Sequence, residues 1–418
     1  MATLNPVRGT QDILPDEYRL FRRVEEAARA VAARYGYGEI ATPIFEFSEV
    51  FSRTLGDTSD IVTKEMYSFE DKGGEKITLR PEGTAGVARA VMSNGLRQHL
   101  PLKFFYRGPM FRYERPQKGR RRQFHQIGVE LLGVVEPLAD VEVVALGHHI
   151  LDELGLAAKV VLEINSLGDS DSRSVYRERL VAYLSRFAGD LSADSRERLQ
   201  RNPLRILDSK DQGDRKIIAD APLMGDSLND SSRRFFDAVL SGLADLGIAA
   251  QVNARLVRGL DYYCHTAFEF TTTALGAQGT VMAGGRYDGL FEMMGGPATP
   301  GIGWAAGIER LTMLLGDADG EARPIAMVPI GGTAEKAAFK LAQQLRRAGY
   351  SVDVGFSGNI GRRMKRADKV KASATVIIGD NELAKNAATV RDMDSGEQTE
   401  VSFDALERHL ARYRGEAG

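Results

Sequence analysis

Two apolar segments separated by a basic stretch constrain the fold more than any other feature. Leu102–Tyr106 and Phe124–Leu132 are rich in aromatic and aliphatic residues, which favours strands. The stretch between them carries seven basic residues and one acid: Arg107, Arg112, Arg115, Lys118, Arg120, Arg121 and Arg122 against Glu114. Strands this close in sequence pair as a hairpin, so we expect an antiparallel sheet with a long basic loop.

Further apolar patterns in the sequence predict more strands for this sheet and helices that pack against it. Apolar residues recur at helical spacing from Leu14 to Tyr35, and Gly36 ends that pattern. Tyr37–Phe47 is predicted as a strand interrupted by Pro43, which suits a sheet edge or a subunit interface. Further strands are predicted at Lys76–Leu79, Lys159–Ile164, Gln251–Val257, Thr266–Thr272, Thr280–Ala283 and Gly301–Ala306, and further helices at Leu138–Leu154 and Gly307–Leu315. The predicted fold class is α+β.

Changes in composition and periodicity along the sequence predict two domains. Residues 1–320 form the first, with a polar, mostly helical insertion at about 169–247. Asp317–Glu321 is a plausible linker. Residues 324–418 then alternate strand and helix patterns, which predicts a small α/β domain. Its basic helix, Asn359–Lys371, includes Arg362, Arg363 and Lys365.

Composition restricts the cellular setting of the protein more than it restricts its activity. A net charge of -2 does not mark a nucleic-acid binder, although two separate basic clusters could hold a long polyanion. The single cysteine, Cys264, excludes an internal disulfide and a cysteine-built zinc site. Neither a secretory signal nor a membrane-spanning run is recognisable, so we expect a cytoplasmic protein. His148 and His149 point in different directions on a helix and are not expected to share a metal.

The common nucleotide-binding signatures are missing, and a set of charged residues in glycine-punctuated segments remains. No phosphate-binding loop with its lysine is present, and the glycines from Gly284 to Gly289 lack dinucleotide spacing. Gln126 and Glu130 lie four apart on one strand and therefore face the same side of the sheet. Each candidate alone is more often structural, but their joint occurrence on one predicted sheet favours a site. The candidates are Glu82, Arg112, Gln126, Glu130, Arg258 and Arg310.

Several stretches resemble known signatures. Pro81–Thr84 (PEGT), Tyr106–Gln117 (YRGPMFRYERPQ) and Gly303–Leu311 (GWAAGIERL) resemble those of class II aminoacyl-tRNA synthetases. Leu256–Tyr263 (LVRGLDYY) and Gly284–Leu290 (GGRYDGL) resemble the pair peculiar to histidyl-tRNA synthetases, and the opening Arg8–Asp12 (RGTQD) also fits. The resemblance runs from about residue 5 to the end of the chain. Cys264-His265 departs from the usual polar and basic pair but leaves Arg258 and Tyr263 in place.

The resemblance implies a class II catalytic domain on an antiparallel sheet and a C-terminal anticodon-binding domain. It implies activation of histidine with ATP, release of pyrophosphate, and transfer of histidine to the 3′ end of its tRNA. Arg112 and Arg258 would act at the α-phosphate. Glu114 and Arg310 would join Arg112 in binding ATP, with Mg²⁺ on the departing pyrophosphate and no protein-side metal ligands assigned.

The same resemblance assigns the other partners. Histidine would be held by Glu82, Thr84, Gln126, Glu130, Tyr263 and Tyr287. The tRNA acceptor end would meet Arg115, Gln117 and Arg122 in the basic loop. The anticodon would meet the helix that carries Arg362, Arg363 and Lys365. A homodimer is expected, with the Pro43 segment at its interface.

Three alternatives remain open. A histidyl-synthetase-like regulatory subunit of ATP phosphoribosyltransferase shares the catalytic fold, but it usually lacks the anticodon-binding domain and has eroded motifs. An RNA-binding or signalling module on a synthetase fold usually carries extra domains. A synthetase for another amino acid, such as proline or threonine, would not be expected to pair the two histidine-type stretches.

Overall fold

The computed structural model describes residues 4–56, 59–117, 119–258, 262–276, 279–316 and 323–414. It forms two compact units, residues 1–318 and 319–418. The proposed linker Asp317–Glu321, Lys118 in the basic loop and Gly259–Asp261 in the histidine-type stretch lie outside the described residues. No helix among the described residues is long and apolar enough to cross a membrane.

The described residues contain α-helices and β-strands in a mixed order that confirms the α+β class. The helices are α1 (Pro15–Arg34), α2 (Ser48–Leu55), α3 (Thr84–Ser93), α4 (Pro137–Glu153), α5 (Ser170–Ser185), α6 (Ala193–Arg201), α7 (Gln212–Ala219), α8 (Asp230–Asp245), α9 (Leu290–Met293), α10 (Ile308–Leu315), α11 (Gly332–Arg347), α12 (Ile360–Lys369), α13 (Asp380–Ala384) and α14 (Phe403–Leu410). The strands are β1 (Gly38–Glu39), β2 (Phe45–Phe47), β3 (Tyr67–Glu70), β4 (Lys76–Leu79), β5 (Leu102–Phe111), β6 (Gln123–Leu132), β7 (Val161–Ser166), β8 (Ala250–Val252), β9 (Cys264–Thr271), β10 (Thr280–Arg286), β11 (Gly301–Gly307), β12 (Ile325–Pro329), β13 (Val352–Val354), β14 (Ala374–Ile378), β15 (Ala387–Asp392) and β16 (Gln398–Ser402).

An eight-stranded sheet organises the first unit, in the order β1-β5-β6-β11-β10-β9-β7-β8. Its pairs are antiparallel except β1 with β5 and β7 with β8. The β5–β6 hairpin is longer than predicted, because pairing continues through the charged end to Phe111 opposite Gln123. The basic residues beyond Phe111 therefore lie just past the end of the paired β5–β6 hairpin.

The two faces of this sheet differ in what covers them. One face packs against α1 and α4, where Ile127, Val129 and Trp304 join the main apolar core. Strand residues alternate, so Gln126 and Glu130 lie on the opposite face. On that face glycines leave room for large side chains. A Cβ at Gly303 would overlap the Glu130 carboxylate, so only glycine permits this close approach.

Two strand predictions need correction. Tyr37–Phe47 is not one strand: β1 joins the large sheet, whereas β2 joins a separate sheet of order β2-β4-β3. The predicted strand Gln251–Val257 ends at Val252. The Asn253 side chain accepts a hydrogen bond from the Arg255 backbone N–H at 3.0 Å, a local turn that ends the strand.

The predicted helical insertion has a small apolar core of its own. Tyr176 and Leu180 of α5, Ile218 of α7 and Met224 are buried together. The carboxylate of Asp214 accepts hydrogen bonds from Ser192, Ser195 and Ser209 and so ties three segments of the insertion together. The following helix, α8, packs against α4 and returns the chain to the main core.

The second unit is built on a five-stranded sheet of order β13-β12-β14-β15-β16. The first three strands in that order are parallel, and β15 and β16 add an antiparallel edge. Its core joins strand residues such as Val376 to α11 and α14 through Ala338 and Leu406. This is the α/β architecture that the sequence pattern predicts.

Candidate active site

A cavity of about 300 Å³ opens on the glycine-bearing face of the large sheet. Eight of the predicted site residues line it: Glu82, Thr84, Arg112, Glu114, Gln126, Arg258, Tyr263 and Arg310. They come from five separate stretches of the chain, which the fold brings to one place. Glu130, Tyr287, Arg115, Gln117 and Arg122 do not border this cavity.

Arginines give one side of the cavity a positive character. Arg112 follows β5 and is fixed by donating from Nε to the Pro81 carbonyl at 2.9 Å, with its guanidinium over the Phe124 ring. Arg310 in α10 donates to the Thr280 carbonyl. Burial lowers the pKa of Arg310, and the nearby cations Arg120 and Arg112 lower it further. Positive charges held this close together favour an anionic ligand between them.

Glu114 is the carboxylate on this side. Its Oε2 lies 2.7 Å from Nη1 of Arg120, so it orders the basic loop as well as lining the cavity. Among the described residues no group of three or more His, Cys, Asp or Glu side chains could hold a metal ion.

Arg258 lies in the cavity wall beside Tyr263 and Glu269. It forms an ion pair with Glu269, and its guanidinium lies over the Tyr263 ring, 5.5 Å from the centroid. Burial alone would lower the pKa of Arg258, but Tyr263 and Glu269 together raise it. Its Nε is buried and has no hydrogen-bond partner among the described residues. Arg258 is thus a fixed cation whose Nε–H can donate a hydrogen bond to a ligand.

Glu82 is held at the start of α3. Its two carboxylate oxygens accept the backbone N–H groups of Thr84 and Ala85 at 2.7 and 2.8 Å. Burial raises its pKa, against the effect of these hydrogen bonds. Each oxygen keeps a free lone pair, so the carboxylate can also accept from an ammonium group. Nearby, Gln126 has a buried Oε1 with no partner among the described residues.

Glu130 and Tyr287 form the layer beneath the cavity. Glu130 is 1% exposed and accepts hydrogen bonds from the Thr84 hydroxyl at 2.7 Å and from the Tyr287 hydroxyl. Burial raises the pKa of Glu130 to about 8, even though these two donors lower it. Because Thr84 borders the cavity, a ligand there is connected to Glu130 through one side chain. Tyr287 itself is buried and does not close over the cavity.

The basic loop is braced by the N-terminal segment. The Arg122 guanidinium lies 3.7 Å from the centre of the Tyr113 ring, and its backbone N–H donates to the Gly9 carbonyl at 2.8 Å. Arg115 and Gln117 are exposed. The three residues predicted for the tRNA acceptor end therefore lie in the basic loop and do not border the cavity.

The basic helix α12 divides into two faces. Arg362 and Lys365 are exposed, as predicted for a contact surface. Arg363 is not: it is 4% exposed, donates to the Gly355 and Gly358 carbonyls and pairs with Glu335. Arg363 does not share the exposed surface of Arg362 and Lys365, because helix geometry turns its side chain toward the loop before the helix and toward α11.

Sequence reasoning missed Glu269, Tyr262 and Thr280, which also line the cavity. Glu269 partners Arg258 and accepts a hydrogen bond from the Thr280 hydroxyl at 2.7 Å. A signal was available, because Glu269 interrupts the apolar run between Phe268 and Phe270 in β9. An acid in such a strand faces a polar site or a cation.

Comparisons with known proteins agree with this geometry. A family model described as histidyl-tRNA synthetase matches residues 9–311, and one described as anticodon binding domain matches residues 325–412. The histidine–tRNA ligase of Rhodospirillum rubrum is 61% identical over 414 residues, covering 99% of this chain and 100% of that protein. The corresponding ligase of Gluconacetobacter diazotrophicus is 54% identical, with 99% and 100% covered. The crystal structure of the apo histidyl-tRNA synthetase of S. aureus superposes with a TM-score of 0.83 at 38% identity, covering 97% of this chain and 99% of that one.

Proposed function

This chain belongs to the histidyl-tRNA synthetase family, and from that premise we propose how its cavity ligates histidine to tRNA. The family reaction has two steps: histidine and ATP give histidyl-adenylate and pyrophosphate, and the histidyl group then passes to tRNA. The observation that carries the residue assignments is the convergence of Arg112, Arg258 and Arg310 with Glu82 on one cavity. That set matches a substrate pair with a triphosphate, a carboxylate and an ammonium.

The activation step joins two anions, so its barrier is largely electrostatic. The histidine carboxylate attacks the α-phosphate and pyrophosphate departs. Arg112 and Arg258 stabilise the charge that develops there, because guanidinium groups stay charged and bind phosphate oxygens in a fork. Both are fixed beforehand, by Pro81 and by Glu269 respectively. Removing one such preorganised donor costs roughly 100- to 1,000-fold in rate.

Arg310 and Glu114 hold the leaving side of ATP. Arg310 binds the terminal phosphates, consistent with the nearby cations that lower its pKa. Mg²⁺ enters with ATP, since such ions are commonly held by phosphates plus one or two carboxylates, and Glu114 is the candidate carboxylate. Such an ion would neutralise charge on the departing pyrophosphate.

Histidine is recognised by a buried polar layer. Glu82 pairs with the ammonium group, with Thr84 and Gln126 beside it. Tyr263 lies in the cavity wall, and Glu130 with Tyr287 supports the imidazole end from beneath. A neutral imidazole has one donor and one acceptor nitrogen, which a carboxyl and a hydroxyl can satisfy. A substrate whose side chain lacks these groups cannot make the corresponding hydrogen bonds, at a cost in binding.

The tRNA meets both units of the chain. Arg115, Gln117 and Arg122 lie on the basic loop and serve the acceptor end. In the second unit, the exposed residues Arg362 and Lys365 serve the anticodon. Both surfaces act chiefly through phosphate contacts, so we expect tRNA affinity to fall steeply as salt rises. With these partners, we infer a cytoplasmic location.

A homodimer forms through the small sheet that follows Pro43. Phe45 and Phe47 of β2 point outward and are 57% and 56% exposed, as is Phe69 of β3 at 50%. Between them Glu46 is buried and pairs with Arg89. This inverted alternation leaves an apolar face without a cover in the single chain. Phe47→Glu should convert a dimer into monomers at micromolar concentration by sedimentation velocity, whereas a monomeric wild-type chain would refute the proposal.

The activation step is tested by pyrophosphate exchange into ATP with each of the twenty amino acids. Exchange should depend on histidine alone and fall roughly 100- to 1,000-fold in Arg258→Ala. The matched control is Arg107→Ala, which removes an arginine from β5 that pairs with Glu25 and Glu39 away from the cavity. Near-normal exchange in a folded Arg258→Ala chain would refute the assignment.

The alternative that the chain is a regulatory subunit predicts a different result in this assay. A folded chain that binds histidine yet exchanges no pyrophosphate with any amino acid would favour it. The intact arginine set and the second unit argue against that result.

A further inference from the structure

The segment that leads to Arg258 is fastened to the helical insertion as well as to the sheet, where the Asn165 side chain in β7 donates to the Leu256 carbonyl at 2.9 Å. Strand β8 ends at Val252, and the chain from Asn253 to Arg258 forms no strand. Arg255 reaches from this segment into the insertion. Its Nη1 donates to the Ala221 carbonyl at 3.0 Å and its Nη2 to the Ala219 carbonyl at 2.5 Å.

These two carbonyls lie at the C-terminal end of α7 (Gln212–Ala219). The last carbonyls of a helix lack partners within the helix and carry its partial negative charge. The guanidinium satisfies the carbonyl of Ala219, the last residue of the helix, and with it the carbonyl of Ala221, just beyond the C-cap Asp220. Ala221 is 4% exposed and belongs to the insertion core with Ile218, so Arg255 is anchored to a packed element.

The insertion also packs behind Arg258 itself. A second cavity, of about 40 Å³, is bordered by Arg258 and Tyr263 on one side and by Tyr176, Leu204 and Met224 of the insertion on the other. This volume is too small for a substrate, so insertion side chains lie close behind the arginine. Glu269 and Tyr263 hold the guanidinium end, so the backbone end depends on the segment that Arg255 fastens.

We propose that Arg255 is a positioning residue for Arg258, and that through it the insertion sets the rate of amino-acid activation. The proposal rests on the role given to Arg258 above. Without Arg255, the carbonyls of Ala219 and Ala221 are solvated by water, and the segment before Arg258 keeps its bonds to β7 but loses its tie to the insertion. A displacement of about 1 Å at a reacting centre can cost about 100-fold in rate.

The first test compares Arg255→Ala with Arg215→Ala in the full-length chain. Arg215 is an exposed arginine on α7 that borders the same shallow groove as Arg255. In histidine-dependent pyrophosphate exchange, Arg255→Ala should lower kcat about 10- to 100-fold while leaving the KM for histidine within about threefold. Arg215→Ala should match wild type. Arg255→Lys should recover part of the loss, because an ammonium group can donate to the same carbonyls.

The second test asks whether Arg255 acts through Arg258. In an Arg258→Ala background, adding Arg255→Ala should lower the residual exchange no further. An equal fold-loss in both backgrounds would overturn the proposal, since it would mark a general structural role. So would a kcat for Arg255→Ala that equals wild type. If Arg255→Ala does not fold by Trp304 fluorescence, Arg255→Lys carries both tests. Near-normal exchange in Arg258→Ala alone would instead refute the function proposed for Arg258.

Discussion

The buried carboxyl of Glu130 gives the chain a pH dependence that can be isolated with one substitution. Glu130 is 1% exposed, and burial raises its pKa from 4.5 to about 8. In the unfolded chain this carboxyl titrates near 4.5. Between these values the folded chain therefore holds a proton that the unfolded chain has lost. The free energy of unfolding must then fall as pH rises through this window.

The size of the effect follows from the shift. Each pH unit inside the window removes about 1.4 kcal/mol of stability for one proton difference. From about pH 5 to pH 7 the loss from this group is about 2.7 kcal/mol, and it levels off above about pH 8. Glu130→Gln keeps the shape and both hydroxyl partners but does not titrate. It should lack this component and become more stable than wild type at high pH.

The fluorescence of Trp304 reports unfolding in the part of the sheet that contains Glu130. It is the only tryptophan of the chain, is 2% exposed, and lies in β11 beside Gly303, the register partner of Glu130. Urea unfolding followed by its fluorescence at pH 5, 6, 7 and 8 gives the slope for wild type and Glu130→Gln. The exposed Glu292→Gln serves as the control and should keep the wild-type slope. Equal slopes for wild type and Glu130→Gln would refute the argument.

Three further predictions follow from the packing and the charges. Gly303→Ala places a Cβ against the Glu130 carboxylate and the Val129 carbonyl. We therefore expect the free energy of unfolding, measured in urea, to fall by at least about 1–3 kcal/mol. The control is Gly289→Ala, whose added Cβ meets nothing within 4 Å and should be tolerated. Hydrogen bonds from the Ser192 backbone and from three serine hydroxyls outweigh burial and lower the pKa of Asp214 to about 2, so the stability they give is present above 3.8 and lost as pH falls toward 2. Asp214→Asn should lose about 1.5–3 kcal/mol at pH 7 by urea unfolding and be less sensitive to acid than wild type in circular dichroism; an unchanged acid profile would count against this. Arg362→Glu with Lys365→Glu should raise the KM for tRNA at least about tenfold but leave pyrophosphate exchange intact, whereas loss of both would indicate misfolding.

Local patterns predicted much of the fold because the segments involved bury one face. The helix from Leu14 to Tyr35, the β5–β6 hairpin and the insertion all follow from periodicity and from a change of texture. The same logic failed at Tyr37–Phe47, where one apolar run serves two different sheets. Periodicity reports that residues are half-buried, but it does not report which partner buries them.

The site was predictable only where a residue type stands out in its own segment. Arg112 and Glu82 sit in recognisable stretches, and both line the cavity. Glu269 interrupts an apolar strand, but the sequence does not identify its partner, because Arg258 is supplied by a different segment. Arg363 failed for the opposite reason. Its charge pattern predicts an exposed face, but three internal partners from the loop before α12 and from α11 bury it.

Two groups of residues, in and beneath the cavity, differ in how they are held, and this has a consequence for variation within the site. Glu130 and Gln126 lie on β6, inside the sheet, where the register with β11 fixes them to their neighbours. Arg112 and Arg258 lie beyond strand ends and are fixed by side-chain contacts, Arg112 by the Pro81 carbonyl and the Phe124 ring and Arg258 by Glu269 and the Tyr263 ring. Sites on regular elements are more precisely placed than sites on loops. Amino-acid recognition should therefore resist changes elsewhere in the chain, while the rate of activation should respond to them, through Arg255 above all.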